Sequence, residues 1–442
     1  MLRPKVRHNE RVAIEQQWPS FITSHTEGGF RRRVGAAVRA VGLVTLTTAL
    51  SHCAATEPSD DITGGRIARP EQPAATQVEL SEGEAPLVLG EPLEGEDRRW
   101  NFVPFPGTRC QDGSTTGLGV SLSASSQNVL IYLQPGGACF DERTCADQDN
   151  AAPFAFNRFG ITEFSLISAA PLFFGDFPGV FARNAASNPF RDWNHVFVPY
   201  CSGDVHFGQA PQGAARTQDA TPRPQLGAAN MRAFLARLVP TFGDARQIVL
   251  AGSSAGGFGA LLNYPRVQAA FGDIPVTAIS DGSPPLRDAF LAPCLQTRWR
   301  ELWNFAATFP SDCSECVVPQ GTGGLYRYLE YLSRRYPDRR FAVLADDEDA
   351  VMRDYYAYGD NGSACAYLGA PLPAATFRDG VEDLLAQVIA PLPNFFSYVR
   401  PGEGHTFLLD PLDDARAGQP LSEWLRDLLQ PSATPRSLRG TR

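Results

Sequence analysis

The chain has 442 residues, of which 43% are hydrophobic and 20% charged, a composition typical of a globular protein. Its formal net charge is −9 at pH 7, so it lacks the positive potential on which sequence-independent binding of nucleic acid depends. Lys5 is the only lysine, which excludes enzyme classes that need a catalytic lysine further along the chain, such as P-loop nucleotidases and pyridoxal phosphate enzymes.

Residues 1–53 predict an N-terminal extension that ends in an export signal. Four arginines between positions 31 and 39 precede an apolar run over residues 41–50, which is shorter than the roughly 20 residues of a transmembrane helix. Cys53 follows closely, as in bacterial lipoproteins. We therefore predict an exported, extracellular or periplasmic protein, and Cys53 is either lipidated, which would attach the chain to a membrane, or removed with the signal.

The remaining cysteines fit an oxidising compartment. They are Cys110, Cys139, Cys145, Cys201, Cys294, Cys313, Cys316 and Cys365. An even set of this kind predicts up to four disulfides, with the pairing left open. Cys313 and Cys316 could instead form half of a zinc site, but there is no second such pair and no nearby histidine, so we predict no metal site.

Composition divides the rest of the chain into three parts. Residues 54–97 are acidic and rich in proline without hydrophobic periodicity, which predicts a flexible linker. Denser apolar sequence over residues 98–431 predicts the folded domain. Residues 432–442 form a polar tail.

Short apolar runs alternate with helical patterns inside the folded domain. Strands are predicted at residues 129–133, 196–198, 248–251, 276–280, 341–345 and 395–399, with helices around residues 231–238 and over residues 421–429. Continuous apolar strands separated by helices predict an α/β fold with a mostly parallel central sheet covered by helices on both faces. Residues 284–336 carry three cysteines and predict a helical insertion that caps the site.

Ser254 is the predicted nucleophile. It is the central residue of a G-x-S-x-G motif over residues 252–256, between a buried strand and a segment that can open a helix. Such a motif is typical of the sharp strand-to-helix turn that exposes a strained serine in α/β-hydrolases. Gly252 and Gly256 would relieve crowding at this turn.

His405 is the predicted base. In α/β-hydrolases the serine precedes the acid and the acid precedes the histidine, and His405 is the only histidine after Ser254. It lies in a glycine-rich loop after the last predicted strand. His195 falls in a strand and is expected in the core, whereas His206 is expected either in the pocket wall or in a disulfide-supported loop.

The acid is expected after a strand between the serine and the histidine. The strand at residues 341–345 is followed by Asp346, Asp347, Glu348 and Asp349, and one of these carboxylates should orient the imidazole, leaving the others in a solvated turn. Asp281, at the end of an earlier strand, is the reserve candidate.

Backbone amides must stabilise the oxyanion of such a reaction. The residue after the nucleophile, Ala255, supplies one of them in this architecture. The glycine-rich loop over residues 134–139 follows an early strand and is expected to supply the other.

Four ordered segments together resemble the pectin acetylesterase family, which also includes the Notum carboxylesterases. They are residues 132–140, 193–204, 252–257 and 402–407, within a similarity that extends over about residues 100–429. The resemblance implies an α/β-hydrolase that removes acyl groups from oxygen. It places the acid on Asp349 and the oxyanion donors on Gly137, Ala138 and Ala255. Pro135 and Ala138 depart from the family pattern and imply a different pocket wall.

These observations predict a secreted serine carboxylesterase that hydrolyses acyl esters, with acetyl esters of a polysaccharide as the first choice and no cofactor. The first alternative is a lipid or protein O-deacylase with the same triad. Phenylalanines that could line an acyl pocket, but are expected in the core, are Phe173, Phe174, Phe177 and Phe181. The second alternative is a non-catalytic surface binding protein.

Overall fold

The computed structural model describes residues 77–80, 84–145, 179–213, 223–319, 322–359 and 365–442. The export signal, Cys53 and the first part of the linker lie outside these residues, as do Phe173, Phe174 and Phe177.

A nine-stranded sheet forms the centre of the domain, in the order β11-β10-β9-β8-β7-β5-β6-β4-β3, and β1 pairs with β2 separately. The strands are β1 (Gln77–Val78), β2 (Leu87–Val88), β3 (Trp100–Phe105), β4 (Thr116–Ser121), β5 (Asn128–Leu133), β6 (Asn194–Val198), β7 (Gln247–Ser253), β8 (Val276–Asp281), β9 (Phe341–Asp346), β10 (Phe395–Arg400) and β11 (Leu438–Arg439). From β11 to β6 neighbouring strands are parallel, whereas β4 and β3 at one edge are antiparallel.

Helices connect the strands. They are α1 (Gly227–Phe242), α2 (Ala255–Leu262), α3 (Tyr264–Phe271), α4 (Pro293–Leu302), α5 (Arg327–Arg335), α6 (Ala350–Tyr356), α7 (Ala374–Leu384) and α8 (Leu421–Leu429), with a π-helical turn over Leu385–Ile389. None of the described helices has both the length and the apolar composition that a transmembrane span needs.

Alternate side chains of the central strands enter two separate cores. In β5, Val129 and Ile131 pack into the larger cluster, while Leu130 and Tyr132 pack into the smaller one. A strand buried on both faces must be apolar at every position, which is why these segments read as continuous hydrophobic runs. The predicted α/β fold with a mostly parallel sheet is therefore confirmed.

The predicted helical insertion lies between β8 and β9. It contains α4 and α5 together with 3-10 turns at Phe305–Ala307 and Ser314–Cys316. All eight cysteines outside the leader pair, as Cys110–Cys201, Cys139–Cys145, Cys294–Cys365 and Cys313–Cys316. The last pair, Cys313 and Cys316, is thus joined in a disulfide.

The predicted linker is too long at its C-terminal end. Leu80, Leu87 and Leu93 are buried in the main core. Arg232 and Arg237 of α1 donate to backbone carbonyls of residues 85, 86, 91 and 92. Isolated leucines in a proline-rich stretch show no periodicity, so their burial could not be read from the pattern.

The predicted polar tail also belongs to the fold. Strand β11 pairs with β10, and Trp424 of α8 donates its indole N–H to the carbonyl of Arg436 at 2.7 Å. Arg442 contacts Asp347 at 3.0 Å. A two-residue strand held by distant partners leaves no hydrophobic pattern in its own sequence.

The disulfides differ in the length of chain that they close, which generates a stability prediction. Cys110–Cys201 spans 91 positions, whereas Cys313–Cys316 spans three. Loop entropy predicts that replacing the first pair with alanines lowers the free energy of unfolding by about 4–5 kcal/mol and replacing the second by about 1.5 kcal/mol. Denaturant titration of both double variants without reductant measures the difference, and equal losses would contradict the prediction.

Candidate active site

Ser254 lies in a sharp turn between β7 and α2. Its backbone has φ 53° and ψ −121°, a strained conformation for a residue with a side chain. Its N–H donates to the carbonyl of Asp281 at 2.7 Å, which ties the turn to the end of β8. The geometry is the one predicted from the G-x-S-x-G motif, and it holds the serine above the C-terminal edge of the sheet.

The two glycines of the motif are required by close backbone contacts. A Cβ on Gly252 would lie 2.1 Å from the carbonyl oxygen of Gly256, and a Cβ on Gly256 would lie 2.0 Å from that of Leu133. Any side chain at either position would push α2 away from the ends of β7 and β5. The glycines therefore allow the turn itself, and also allow α2 to approach β5.

His405 and Asp349 form a hydrogen-bonded pair. The distance from His405 Nδ1 to Asp349 Oδ2 is 2.7 Å, and the aspartate is 1% exposed. The other carboxylate oxygen of Asp349 accepts the backbone N–H groups of Val351 and Met352, each at 2.9 Å, and so caps α6. These bonds fix the carboxylate, and the carboxylate fixes the imidazole.

The His405 ring lies beside the turn that carries Ser254. In the sheet Ser253 pairs with Asp281, so Gly282 is the register neighbour of Ser254. A Cβ on Gly282 would be 3.4 Å from Cε1 of His405. The structure thus brings the predicted nucleophile, base and acid to the carboxyl ends of β7, β8 and β9.

The other carboxylates after β9 have different partners. Asp346 forms a buried ion pair with Arg400, with N–O distances of 3.0 and 2.6 Å. Asp347 accepts the N–H of Gly402 at 2.9 Å, and Glu348 pairs with Arg378. The expectation of a solvated turn was wrong for these residues, because each carboxylate is held by an arginine or a backbone amide.

Electrostatics around His405 favour its protonated form. Burial alone lowers the pKa of the imidazole, but the negative charges of Asp349, Asp281 and Asp346 outweigh it, so the pKa is raised above its usual value. A base with a raised pKa accepts a proton more readily.

The predicted oxyanion residues line the same pocket as Ser254. Gly137, Ala138 and Ala255 all contribute to its wall, and Gly137 has φ 80°. The N–H of Ala138 also contacts the hydroxyl of Tyr355. The loop is closed by Cys139, whose N–H donates to the carbonyl of Gly203 at 2.7 Å.

The two other histidines of the domain are buried and bind backbone carbonyls, so neither is available to exchange a proton with Ser254. His195 donates from Nε2 to the carbonyl of Phe190 at 2.8 Å, and burial lowers its pKa to about 3. His206 donates from Nε2 to the carbonyl of Gln134 at 2.9 Å, and burial lowers its pKa to about 4. His195 is thus a core residue, whereas His206 supports Gln134, the first residue of the predicted oxyanion loop.

An apolar pocket opens at Ser254. Its apolar lining comes from α2, the insertion and α6, and includes Phe258, Leu262, Trp299, Trp303, Phe305, Leu325, Met352, Tyr355 and Tyr356. The insertion therefore forms one wall of the pocket, as expected of a cap. Phe181 instead packs in the core, with its ring 5.2 Å from that of Tyr132.

Sequence reasoning missed most of these lining residues. Trp299 lies in α4 and Trp303 directly follows its last residue. The two are four residues apart and share one helical face, and their rings are stacked with centroids 5.8 Å apart. Tyr355 and Tyr356 follow the acid within one short helix. Aromatic spacing on a cap helix and aromatic residues just after the acid were the available signals.

Within the described residues, no group of three or more His, Cys, Asp or Glu side chains gathers in a way that could hold a metal ion.

Known proteins share both sequence and fold with this chain. The family model described as Pectinacetylesterase matches residues 101–316. The palmitoleoyl-protein carboxylesterase NOTUM of Drosophila melanogaster is 27% identical over 261 residues, covering 55% of this chain and 36% of that protein. Notum2 of Xenopus laevis is 31% identical over 184 residues, covering 39% of this chain and 33% of that protein. The match thus spans only about a third of each relative.

The fold matches a solved structure over a longer stretch. The structure of the Wnt deacylase Notum from Drosophila aligns with a TM-score of 0.54 at 21% identity, covering 78% of this chain and 97% of that one. This likeness shows the α/β-hydrolase fold. The family model and the curated relatives show in addition that the chain is similar in sequence to pectin acetylesterases and Notum carboxylesterases.

Proposed function

We propose that this chain is a serine carboxylesterase in which Ser254 is the nucleophile, His405 the base and Asp349 the residue that orients the base. The observation that carries the proposal is the strained Ser254 turn beside the His405–Asp349 hydrogen bond of 2.7 Å. A serine, a carboxylate and an imidazole in this order along the chain form the triad of an α/β-hydrolase. The homologues with curated names are carboxylesterases, which supports hydrolysis.

Each step of the proposed reaction uses protein groups and water. Ser254 Oγ attacks the ester carbonyl carbon while His405 takes its proton, and Asp349 stabilises the resulting imidazolium. The N–H groups of Ala255 and the loop at Gly137 and Ala138 stabilise the oxyanion. Collapse expels the alcohol, which receives the proton from His405. Water, activated by His405, then hydrolyses the acyl-enzyme and frees Ser254.

Tyr355 occupies one of the proposed oxyanion donors in the free protein. Its hydroxyl contacts the N–H of Ala138 in the free protein. If Ala138 is an oxyanion donor, the developing negative charge replaces this phenol at the amide. An anion accepts a hydrogen bond more strongly than a neutral hydroxyl does, so the exchange favours the transition state.

The apolar pocket supports an acyl group longer than acetyl. Leu262 lines the pocket eight residues after Ser254, about 12 Å further along the axis of α2. An acetyl group would leave most of these aromatic and aliphatic walls without a partner. The names of the relatives, which describe palmitoleoyl-protein carboxylesterases, agree with an apolar acyl chain. Acetyl esters of carbohydrate are the second candidate, because the matching family model is that of pectinacetylesterases.

We also propose that the protein is exported. Four disulfides in one domain are typical of oxidising compartments. Lipidation of Cys53 and the export signal remain predictions.

Residues before position 98 and after position 431 pack into the fold. We therefore propose that the catalytic domain extends beyond residues 98–431.

Replacing the nucleophile tests the proposed chemistry. Ser254→Ala is expected to lower kcat for p-nitrophenyl butyrate at least about 1,000-fold and to abolish labelling by a fluorophosphonate probe. The matched control is Ser397→Ala, since Ser397 is a buried serine on β10, and it should keep both. Full hydrolysis by Ser254→Ala would contradict the mechanism, and a wild-type protein that neither hydrolyses nor labels would favour a binding protein.

Chain-length dependence tests the acyl group. We expect kcat/KM for p-nitrophenyl octanoate to exceed that for the acetate, because the longer chain buries more apolar surface at about 0.8 kcal/mol per methylene. Leu262→Trp should fill the far end of the pocket and lower the octanoate-to-acetate ratio. The ratio within each variant corrects for differences in folded protein. A preference for acetate and release of acetate from acetylated polysaccharide would favour the second candidate.

Asp349→Asn tests the acid. Asparagine retains an oxygen that can cap α6, but it removes the charge beside His405, so kcat should fall about 1,000-fold or more. Because His405 acts as a base only when neutral, its raised pKa places the acid limb of the kcat/KM profile above pH 6.5 in the wild type. In any residual activity of Asp349→Asn this limb should move to lower pH.

Asp347→Asn is the control for this experiment. Its carboxylate follows the same strand but contacts Gly402 and Arg442 rather than the imidazole. It should lose far less activity than Asp349→Asn and keep the wild-type acid limb. Equal losses in the two variants would exclude Asp349 as the residue that orients His405.

A further inference from the structure

A second buried carboxylate lies beneath the candidate triad. Asp281 ends β8 and is 0% exposed. Its Oδ2 accepts three hydrogen bonds, from the hydroxyl of Ser253 at 2.5 Å and from the backbone N–H groups of Phe407 at 2.9 Å and Leu408 at 3.0 Å. The first donor immediately precedes the nucleophile, and the other two follow the base by two and three residues.

We propose that Asp281 is a positioning residue that locks the loop of His405 to the turn of Ser254 and adds negative charge beside the imidazole. The inference rests on the proposed function, because it concerns the alignment of the same nucleophile and base. In this assignment Asp281 contacts neither the substrate nor Nδ1 of His405, which Asp349 occupies at 2.7 Å.

The main chain at Asp281 supports the same assignment. Its carbonyl accepts the N–H of Ser254 at 2.7 Å, and the next residue, Gly282, has φ 65° and faces Cε1 of His405. One residue therefore binds the nucleophile turn through its backbone and the base loop through its side chain. Loss of the side-chain contacts would free the loop to shift relative to Ser254.

The hydrogen-bond chain behind Asp281 ends in a neutral group. Tyr132 donates its hydroxyl to Ser253 at 2.8 Å, and Ser253 in turn donates to Asp281. Burial raises the pKa of Tyr132 well above its usual value, so this phenol stays protonated. This series of hydrogen bonds thus fixes the direction in which Ser253 donates to Asp281, and neither hydroxyl carries a positive charge that would neutralise the carboxylate.

The charge of Asp281 acts on His405. The carboxylates that face the imidazole are Asp349, Asp281 and Asp346, and Arg400 pairs with the last of these. Oδ1 of Asp281 has no hydrogen-bond partner among the described residues. Burial raises the pKa of Asp281 to about 6, so the group is ionised at neutral pH. Its negative charge then stabilises the imidazolium.

Asp281→Asn tests the inference. We expect kcat to fall between about ten- and a hundredfold with KM nearly unchanged, because asparagine keeps an acceptor oxygen but removes the charge that stabilises the imidazolium, while the acyl pocket is intact. The acid limb of the kcat/KM profile should also shift to lower pH, since His405 loses a neighbouring negative charge. Ser253→Ala removes one of the three hydrogen-bond donors to Asp281, so it should lower kcat and shift the acid limb in the same direction, but by less. This variant replaces Asp281→Asn in the test if Asp281→Asn does not fold.

Asp204→Asn is the matched control. Asp204 is also 0% exposed and accepts from Ser202 and the N–H of Gly227, but it is not among the charges that act on His405. It should lower stability and leave the acid limb in place. An unchanged acid limb and kcat in Asp281→Asn, or the same shift in Asp204→Asn, would overturn the inference.

A readout that does not need turnover separates this inference from the proposed function. In a Ser254→Ala background, NMR titration should give a lower imidazole pKa for His405 when Asp281→Asn is added. If wild-type protein shows no Ser254-dependent hydrolysis, the proposed function fails. If the wild type is active and the titration of His405 is identical with and without Asp281→Asn, the electrostatic part of the inference fails alone.

Discussion

The absence of a side chain at Gly256 decides how the site is assembled. A Cβ there would meet the carbonyl of Leu133 at 2.0 Å, so only glycine lets α2 rest against the end of β5. The chain that leaves β5 is the loop with Gly137 and Ala138, and the residue that opens α2 follows Ser254. A close backbone contact between two elements therefore places the proposed nucleophile and its proposed amide donors around one pocket.

Helix α6 joins three functions in seven residues. Its N-cap is Asp349, which holds the imidazole with one oxygen and the helix with the other. Its inner face supplies Met352 and Tyr355 to the pocket. Asp354 forms an ion pair with Arg143, which belongs to the disulfide-closed loop after the oxyanion residues. The orientation of the proposed base and the shape of the pocket thus depend on the same short helix.

Signals of short range made part of this site predictable. The turn at Ser254 depends on five consecutive residues, and His405 follows from the order of the triad because few histidines are available. Asp349 could not be separated from Asp346 by residues alone, since neighbouring carboxylates differ only in where the chain directs them as it leaves β9. The choice of Asp349 therefore came from the family resemblance and remains a prediction.

The parts that escaped prediction depend on contacts between distant segments. The pocket lining comes from several stretches of chain, and no single stretch reveals which of its aromatic residues will converge. Likewise β11 has two residues, and its place in the sheet depends on β10 and on Arg340, which donates to the carbonyls of residues 431 and 433. Hydrophobic periodicity identifies the buried face of a long helix or strand, but two residues are too few to show a period.

The sheet and the insertion meet at the pocket. The residues of the proposed triad lie at the edge of the sheet, whereas the insertion builds one wall of the pocket. That wall is attached through the indole of Trp303, which donates to the carbonyl of Cys139 at 2.9 Å. The wall that the insertion contributes is thereby encoded apart from the proposed triad, whereas the walls from α2 and α6 are not. Recombining or randomising the insertion would therefore change one wall of the pocket and leave the residues of the proposed triad in place.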